Sequence, residues 1–270
     1  MECGYKEIFS RNIGMLTESD QDKLRKCTLA IAGVGGVGGL LAERLIRLGF
    51  GQLKITDPGL FEPSNLNRQA FSSTLNLGRN KAEVVFSQIK DINPEAKISW
   101  SPKGIKTEND ANLFVSDCDV VIDEMDMGLF KESILLQRAA RRKGIYYMFT
   151  CAYGFGALIA IFDPRGITLE EYDGLSPNVD VDDREKMKVP FENIVPIMPW
   201  YFPDIDAETI YKMVTGALPG PAISIGAGLA SVLAANESVN IILNKRKIVT
   251  APEYTYIDLI DQKFEVRSIS

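Results

Sequence analysis

Short apolar runs alternate with helix-like segments along the first 150 residues. The strand-like runs lie at 28–33, 53–57, 97–101, 119–124 and 145–150. Between them, apolar residues recur at helical spacing, most clearly in 79–92 and 129–142. Strands that alternate with helices are typical of a parallel sheet covered by helices on both faces. The pattern therefore predicts an α/β fold with a Rossmann-like, mostly parallel sheet.

The second half of the chain has a different organisation. GFGALIAIFDP at 154–164 follows the fifth strand without a helix, which predicts an antiparallel extension of the sheet. Residues 164–220 are rich in proline and predict a long irregular insertion or crossover loop. The apolar stretch 221–243 carries several polar residues, and we interpret it as a buried helix; we expect no membrane contact. KIVTA, EYTYIDLI and KFEVRSI read as closing strands.

These patterns predict a single domain over residues 1–270. We divide it into an N-terminal helical segment (1–27), a nucleotide-binding core (28–163), the insertion (164–220) and a C-terminal helix with strands (221–270).

Composition excludes several chemistries. The chain has 30 Lys plus Arg against 36 Asp plus Glu, a net charge of −6, which argues against nucleic-acid binding. It has no His, which excludes a Ser-His-Asp triad and an HExxH zinc site. The four cysteines, at positions 3, 27, 118 and 151, form no CxxC pair, so we expect no zinc and a reducing, cytoplasmic location.

The strongest local signal is a glycine-rich turn between the first strand and the first long helix. The turn fits GxGxxG and contains Gly33, Gly35, Gly36 and Gly38. Glycines there let the backbone approach a phosphate, while the helix N-terminus supplies amide donors. Asp57 ends the next strand 19 residues after Gly38, a spacing that suits an acid bonding ribose hydroxyls. The alternative is a glycine-rich turn that only packs helix on strand.

Residues further along distinguish ATP from a dinucleotide. A polar block, EPSNLNRQ, occupies 62–69, and GRNK at 78–81 opens the following helix. Asp123 and Asp126 close the fourth strand, at the edge where open α/β sheets bind ligands. An arginine, a lysine and carboxylates beside a phosphate loop indicate handling of a triphosphate and Mg²⁺.

These motifs together resemble a known family, the ubiquitin-activating-enzyme-like adenylyltransferases (the ThiF, MoeB and HesA group). The resemblance covers about residues 9–165 closely and the 221–243 helix loosely. Its motifs are FSRNIG at 9–14, GVGGVGG at 33–39, SNLNRQ at 64–69, GRNKAE at 78–83, NP at 93–94 and VIDEMD at 121–126, with Gln21, Leu24 and Asp57.

The resemblance implies a role for each matching residue. Asp57 would bind the ribose of ATP, and Asp126 would hold Mg²⁺. Arg11 would reach into the site of a second subunit, which implies a homodimer. Four side chains would contact the ATP phosphates: Asn65, Arg68, Gln69 and Lys81. The implied reaction is attack of a carboxylate on the α-phosphate, giving an acyl-adenylate and pyrophosphate.

The sequence departs from that family pattern at three places. It has no CxxC pairs, no cysteine in 152–270 where many relatives carry a conjugating one, and Met127 after Asp126 where relatives often have Asn. Cys151 is then the only thiol expected near the site, and we interpret it as structural. We predict adenylation without a resident thioester, acting on the C-terminus of a peptide or ubiquitin-like protein, or on a small carboxylate.

Two other readings remain open from the sequence. GxGxxG and Asp57 alone would also suit an NAD(P)-dependent oxidoreductase. A non-catalytic adaptor could keep a nucleotide site and dock a partner through 164–221. MPWYFP at 198–203 is equally suited to a docking patch and to burial in the core.

Overall fold

One eight-stranded sheet runs through the computed structural model, which describes residues 4–202, 206–214 and 217–269. Its spatial order is β3-β2-β1-β4-β5-β6-β7-β8. The strands are β1 Thr28–Ala32, β2 Gln52–Thr56, β3 Lys97–Ser101, β4 Val120–Asp123, β5 Tyr146–Tyr153, β6 Gly156–Phe162, β7 Glu253–Asp258 and β8 Lys263–Ser268. Cys3 and Pro203, both named in the sequence analysis, lie outside the described residues.

The first five strands are parallel, and each of the last three is antiparallel to the strand before it. The predicted fold class is therefore confirmed. One predicted strand is wrong, because residues 247–251 (KIVTA) form no strand. They run beside β6 and join it through one bond, from the Ala251 amide to the Ile161 carbonyl at 2.7 Å. In the register that pairs β7 with β6, these residues would lie opposite residues 163–167, beyond the end of β6 at Phe162, so they have no strand to pair with.

Helices cover both faces of the sheet. The helices that pack on the sheet are α2 Glu18–Lys26, α3 Gly36–Leu48, α4 Lys81–Ile92, α5 Glu108–Phe114, α6 Phe130–Lys143 and α10 Ser224–Leu243. Residues of α2, α3, α4 and α10 pack into one buried cluster on one face, and residues of α5 and α6 into a second cluster on the other. This division puts α3 and α10 together over the strands that carry the candidate site.

The apolar helix α10 lies inside the protein, as the sequence predicts. By length and composition it could cross a membrane, but more than half of its apolar window is buried in the structure. It packs against α3 and over β5 and β6. Its buried acid, Glu237, is neutralised by an ion pair with Arg246 just beyond the helix.

The insertion between β6 and α10 contains three short helices, where the sequence predicted only irregular structure. They are α7 Leu169–Tyr172, α8 Phe191–Ile194 and α9 Ala207–Val214. Arg138 on α6 anchors the start of this segment. Its Nε lies 2.8 Å from Oε1 of the buried Glu170, and its Nη2 donates to the Val179 carbonyl at 2.7 Å.

The N-terminal segment is fixed at the end of α3 that is far from the glycine turn. It begins with α1 Tyr5–Ile8 and a 3₁₀ turn at Ser10–Asn12. The Tyr5 hydroxyl donates to the carbonyl of Gly49, the residue that ends α3, and the Asn12 side chain donates to the Leu48 carbonyl at 3.3 Å.

Candidate functional site

The carboxyl ends of β1, β2 and β4 are adjacent in the sheet and carry the residues that the motifs singled out. Open parallel sheets bind ligands at this edge, outside the strand ends. The glycine turn follows β1, Asp57 follows β2, and Glu124 to Asp126 follow β4. Topology therefore gathers side chains that are about 90 residues apart in the chain.

Two of the glycines are required by packing within the turn. Gly33 has a φ of +87°, and a Cβ there would stand 2.2 Å from the carbonyl oxygen of Glu124. A Cβ on Gly38 would stand 1.9 Å from the carbonyl oxygen of Gly33. Such contacts do not occur between real atoms, so these positions need glycine to bring β1, β4 and the start of α3 together.

The other two glycines face polar side chains instead of backbone. A Cβ on Gly35 would lie 3.5 Å from the Gln69 amide nitrogen, and one on Gly36 would lie 3.6 Å from the Arg68 Cγ. Neither position is sterically closed. The first turn of α3 therefore presents bare backbone to the side chains predicted to contact phosphates, which is the arrangement that a bound anion needs.

Asp57 links the glycine turn to the loop after β2. Its Oδ2 accepts the Val34 amide at 2.9 Å, and its Oδ1 accepts the Gly59 amide at 2.7 Å. Burial raises the pKa of Asp57, while the two amide bonds and the nearby Lys81 act in the opposite direction. Each carboxylate oxygen keeps a lone pair after its amide bond, so both oxygens can still accept ribose hydroxyls.

The SNLNRQ block forms a 3₁₀ turn at Pro63–Asn65 and the residues after it. Gln69 is buried, and its Oε1 has no hydrogen-bond partner. Buried acceptors are normally satisfied, so this oxygen beside Gly35 has acceptor capacity that a water or a ligand hydroxyl can fill. Arg68 is half-buried, and its Nη1 bonds the Ser64 carbonyl at 3.0 Å and Asn67 Oδ1 at 2.9 Å.

Asn65 has a structural role in this block. Its Oδ1 accepts the Glu62 amide at 3.1 Å, and its Nδ2 lies 3.5 Å from the Ser64 hydroxyl. The side chain is buried, so its carbonyl holds the turn that presents Arg68 and Gln69. The phosphate contact predicted for Asn65 is thus left to its amide nitrogen alone.

Lys81 begins α4, and its side chain lies beside Gly59 and near Asp57, in the loop after β2. The preceding residue, Asn80, caps the helix by accepting the Glu83 amide and donates to the carbonyls of Asp57 and Gly59. Lys81 methylenes lie 3.4 and 3.5 Å from where a Gly59 Cβ would be. Within the described part of the chain, its ammonium makes no hydrogen bond and no ion pair, so it is available to a phosphate.

The two aspartates after β4 differ in environment. Asp123 is buried, accepts the Tyr147 hydroxyl at 2.6 Å and the Met125 amide at 2.9 Å, and burial raises its pKa. Asp126 is exposed, and its charge acts on the Asp57 carboxyl. Among the described residues there is no group of three metal-ligating side chains. One free carboxylate beside a phosphate site nevertheless fits Mg²⁺, which keeps waters and takes ligands from substrate phosphates.

Arg11 is not brought to this edge within its own chain. It is exposed on the 3₁₀ turn beside Asn12, which is bonded to the far end of α3. The 13 residues of α3 span about 20 Å, so Arg11 lies roughly that far from the glycine turn. Its predicted role therefore needs a second subunit.

Cys151 is on β5, on the sheet face that packs against α6 and the insertion. Burial raises its pKa to about 12, and the charge of Glu124 acts in the same direction. A thiol in this state is not a thiolate at neutral pH, so the structure gives Cys151 no nucleophilic character.

Sequence reasoning missed Glu124 and Thr150 as residues of this edge. The Thr150 hydroxyl lies 2.9 and 2.8 Å from the two carboxyl oxygens of Glu124, and burial raises the pKa of Glu124 well above its ordinary value. The only available signal was an acid at the end of a strand that is otherwise apolar. Pairing β4 with β5, which is a long-range event, brings the two side chains together.

Known proteins are similar to this chain in sequence over about half its length. A tRNA threonylcarbamoyladenosine dehydratase of Bacillus subtilis is 32% identical over 123 residues, which are 46% of this chain and 48% of that protein. A sulfur carrier protein adenylyltransferase of Thermus thermophilus is 28% identical over 142 residues, 53% and 51% of the two chains. The chain thus spans about half the length of these relatives.

Solved structures extend the similarity to the whole fold. PaaA superposes with a TM-score of 0.71 at 17% identity, covering 100% of this chain and 75% of that one. Escherichia coli MccB, in a structure with ATP, gives a TM-score of 0.69 at 19% identity, covering 93% and 66%. At these identities the likeness establishes the fold. The ThiF family model matches residues 9–270, so the chain belongs to the ThiF family.

Proposed function

We propose that this protein is an ATP-dependent adenylyltransferase that activates a carboxylate as an acyl-adenylate. The observation that carries the proposal is the convergence of four features on one sheet edge: the glycine turn, Asp57, the unpaired Lys81 and the orphan Gln69 oxygen. ThiF-family membership and the names of the relatives, among them adenylyltransferases, support it.

ATP would lie across the ends of β2 and β1. Asp57 would accept the ribose hydroxyls, and the bare backbone of the α3 N-terminus would face the α-phosphate, with its helix dipole favouring the anion. Arg68 and Lys81 would contact the phosphates that leave. Asp126 would hold Mg²⁺, which would share the negative charge of the phosphates.

In the proposed reaction a substrate carboxylate oxygen attacks the α-phosphorus. A carbon–oxygen–phosphorus link forms, the bond from the α-phosphorus to the β-phosphate oxygen breaks, and pyrophosphate leaves. The nucleophile is already an anion, so no general base is required, which agrees with a chain that has no His. The chain's contribution is positioning and neutralisation of charge on the leaving group.

We infer that the acyl group is passed on without a thioester to this chain. Among the described cysteines, Cys27 and Cys118 precede β1 and β4 at the opposite edge, and burial raises the pKa of each to about 11. Cys151 is nearer, but it is half-buried on the opposite sheet face from Glu124. The acceptor would therefore arrive on the substrate or on a second molecule.

We further propose that the protein works as a homodimer and acts on a peptide or ubiquitin-like C-terminus. α10 leaves Ile225 and Val232 about half exposed, and the N-terminal segment leaves Ile13 and Met15 exposed. Exposed apolar residues on the same sheet face suit contact with a second copy. MccB has been crystallised with MccA, and a relative is named as a SUMO-activating subunit, which supports a polypeptide substrate.

The test is exchange of radiolabelled pyrophosphate into ATP, screened over free-carboxyl peptides, small acids and tRNA. One class should support exchange. Arg68→Ala and Asp126→Asn should each lower it by on the order of 10²–10³. Arg142→Ala, in an exposed ion pair with Glu108 on the opposite face of the sheet, is the matched control and should leave exchange unchanged. NAD(P) binding without exchange on any carboxylate would instead favour the oxidoreductase reading.

A further inference from the structure

Glu124 is a polar side chain at the site edge that the proposed reaction does not use. It follows β4 and, by strand alternation, lies on the same sheet face as Ile122, the face covered by α3 and α10. The residue is half-buried, and burial raises the pKa of its carboxyl group well above the ordinary value. A carboxyl group in such a place needs either a structural partner or a ligand.

Its position is directly beneath the glycine turn. The Cβ of Glu124 is 3.3 Å from where a Gly38 Cβ would be, and its carbonyl oxygen is 2.2 Å from where a Gly33 Cβ would be. The first turns of α3 and α10 converge here, because the Ala227 Cβ lies 3.8 Å from where a Gly36 Cβ would be. A group bound at the α3 N-terminus is therefore a neighbour of Glu124.

The carboxyl group of Glu124 is held in place from one side only. The Thr150 hydroxyl, on β5, lies within 2.9 Å of both carboxyl oxygens. A single hydroxyl can donate one hydrogen bond, whereas the two oxygens together offer several acceptor positions. Glu124 is thus oriented by β5 and retains acceptor capacity toward the site.

The sheet order determines which part of a ternary complex would meet Glu124. With the ribose at Asp57, ATP occupies the ends of β2 and β1, and the strands on the other side of the turn are β4 and β5. ATP at the ends of β2 and β1 leaves the ends of β4 and β5 uncovered, and these are only about 4.8 Å per strand further along the sheet. The acyl substrate that attacks the α-phosphate would therefore approach over β4 and β5. Glu124 and Thr150 lie at this approach.

We propose that Glu124 is the residue that recognises the acyl substrate, by accepting a hydrogen bond from an N–H on the carbon next to the reacting carboxylate. In a peptide this group is the amide N–H of the last residue. The inference rests on the adenylation proposed above and specifies its substrate class: acids with an amide nitrogen adjacent to the carboxyl-bearing carbon. A carboxyl oxygen can accept this bond whether or not the group carries a proton.

The proposal explains discrimination as well as binding. A simple acid without the N–H would displace water from Glu124 and leave its acceptor unpaired. Sites built to hydrogen-bond a substrate group reject analogues that lack it more strongly than they reject analogues differing by a methylene. We expect the discrimination to be on the order of ten- to hundredfold in kcat/KM.

The experiment compares each peptide with its ester analogue, in which the last amide N–H is replaced by oxygen. The probes are synthetic hexapeptides with free carboxyl ends, including ones ending in Gly-Gly, and pyrophosphate exchange is measured. The native protein should prefer the amide about ten- to hundredfold. Glu124→Ala should use both equally, and Glu124→Gln, which keeps an amide oxygen, should recover part of the preference. Glu43→Ala, on the outer side of α3, is the control and should keep the native ratio.

The outcomes separate this inference from the proposed function. Exchange with no carboxylate of any class would overturn adenylation and the inference with it. Exchange that is equal for amide and ester in the native protein would overturn the role of Glu124 while adenylation stands. An amide preference that persists in a Glu124→Ala protein with native circular dichroism and ATP affinity would do the same.

Discussion

At the scale of single residues, burial determines which ionisable groups can take part in chemistry. Asp57 and Lys81 lie close together at the nucleotide edge and both can still bind a ligand, whereas the three described thiols are half-buried against apolar residues. The pKa of a buried group also depends on the charged and hydrogen-bonding groups around it. Two amide donors lower the pKa of Asp57 and so favour its charged form. The charge of Glu124 raises the pKa of Cys151 and so disfavours its thiolate further.

Cys151 provides the first prediction at this scale. Cys151→Ser should retain pyrophosphate exchange within about twofold, because the attacking group is a carboxylate and the thiol has a pKa raised to about 12. Exchange kinetics and a thermal unfolding curve check this together. Loss of exchange in a variant that unfolds at the native temperature would mean that Cys151 has a chemical role.

Asp173 provides a prediction about stability and pH. Asp173 follows α7 in the insertion. Its side chain is buried and makes no hydrogen bond within the described residues. Burial, with Glu170 nearby, raises its pKa to about 8. The folded state therefore keeps a proton that the unfolded chain releases above about pH 4. Stability should fall as pH rises from about 4 to 8, by at most about 1.4 kcal/mol per pH unit from this group.

Asp173→Asn removes that proton linkage. Chemical denaturation at pH 5 and at pH 7.5 measures the free energy of unfolding of both proteins. The value for the variant, relative to that for the native protein, should be higher at pH 7.5 than at pH 5. Asp163→Asn is a control, since that carboxylate is partly exposed and faces Arg165. An equal stability change at both pH values would contradict a protonated Asp173.

At the scale of elements, the glycine turn shows how a sequence motif divides into structural and binding positions. The GxGxxG pattern does not distinguish its glycines, but in the structure they have different surroundings. Gly33 and Gly38 are closed by backbone at 2.2 and 1.9 Å, whereas Gly35 and Gly36 meet only side chains at about 3.5 Å. The motif could be found from sequence, but this division depends on β4 lying beside β1.

Gly38→Ala should destabilise the protein and abolish ATP binding, because the new methyl group meets the Gly33 carbonyl and forces the start of α3 away from β1. We expect a loss of at least about 2 kcal/mol. Gly36→Ala should keep the native unfolding temperature and weaken ATP binding only, since position 36 is helical and its methyl group meets the stem of the half-buried Arg68. Differential scanning calorimetry and ATP titration distinguish the two, and equal unfolding temperatures would contradict the argument.

The elements themselves were largely legible in the sequence. Buried parallel strands appear as short apolar runs, so β1 to β6 were located closely. Residues 247–251 carry the same pattern but form no strand, because the register of β7 on β6 places them beyond the end of β6 at Phe162. The apolar pattern indicates which segments could form strands, but whether a segment pairs depends on which strand ends lie beside it in the complete sheet. For the same reason Glu124 and Thr150 were missed, and the turn-holding role of Asn65 was not foreseen.

At the scale of the whole molecule, the two ends of α3 and α10 carry different parts of the proposed machinery. The helices run in the same direction: both begin near the glycine turn, and Lys245, just after α10, pairs with Asp20 of α2. The nucleotide edge is thus at one end and Arg11 at the other. A second copy related by a two-fold axis perpendicular to α10 would place its Arg11 end beside the first copy's nucleotide edge.

That arrangement makes a prediction that a monomer cannot meet. Arg11→Ala and Arg68→Ala should each be nearly inactive alone, but a mixture refolded together should recover exchange. In a mixed dimer, the subunit with intact Arg68 would receive Arg11 from the other chain, so one of its two sites is complete. Random pairing makes about half the dimers mixed, and about a quarter of all sites should then be active.

Light scattering first establishes the oligomeric state, and exchange is measured against the fraction of each variant in the mixture. The recovered activity should peak at equal proportions and fall toward zero at either pure variant. Asp57→Asn mixed with Arg68→Ala is the negative control, since both changes damage a chain's own site: a mixed dimer then has no complete site, because neither subunit keeps both Asp57 and Arg68. Recovery in this control, or none in the Arg11 mixture although mixed dimers have formed, would place Arg11 outside the partner's site. The exposed face of α10 would then need another explanation.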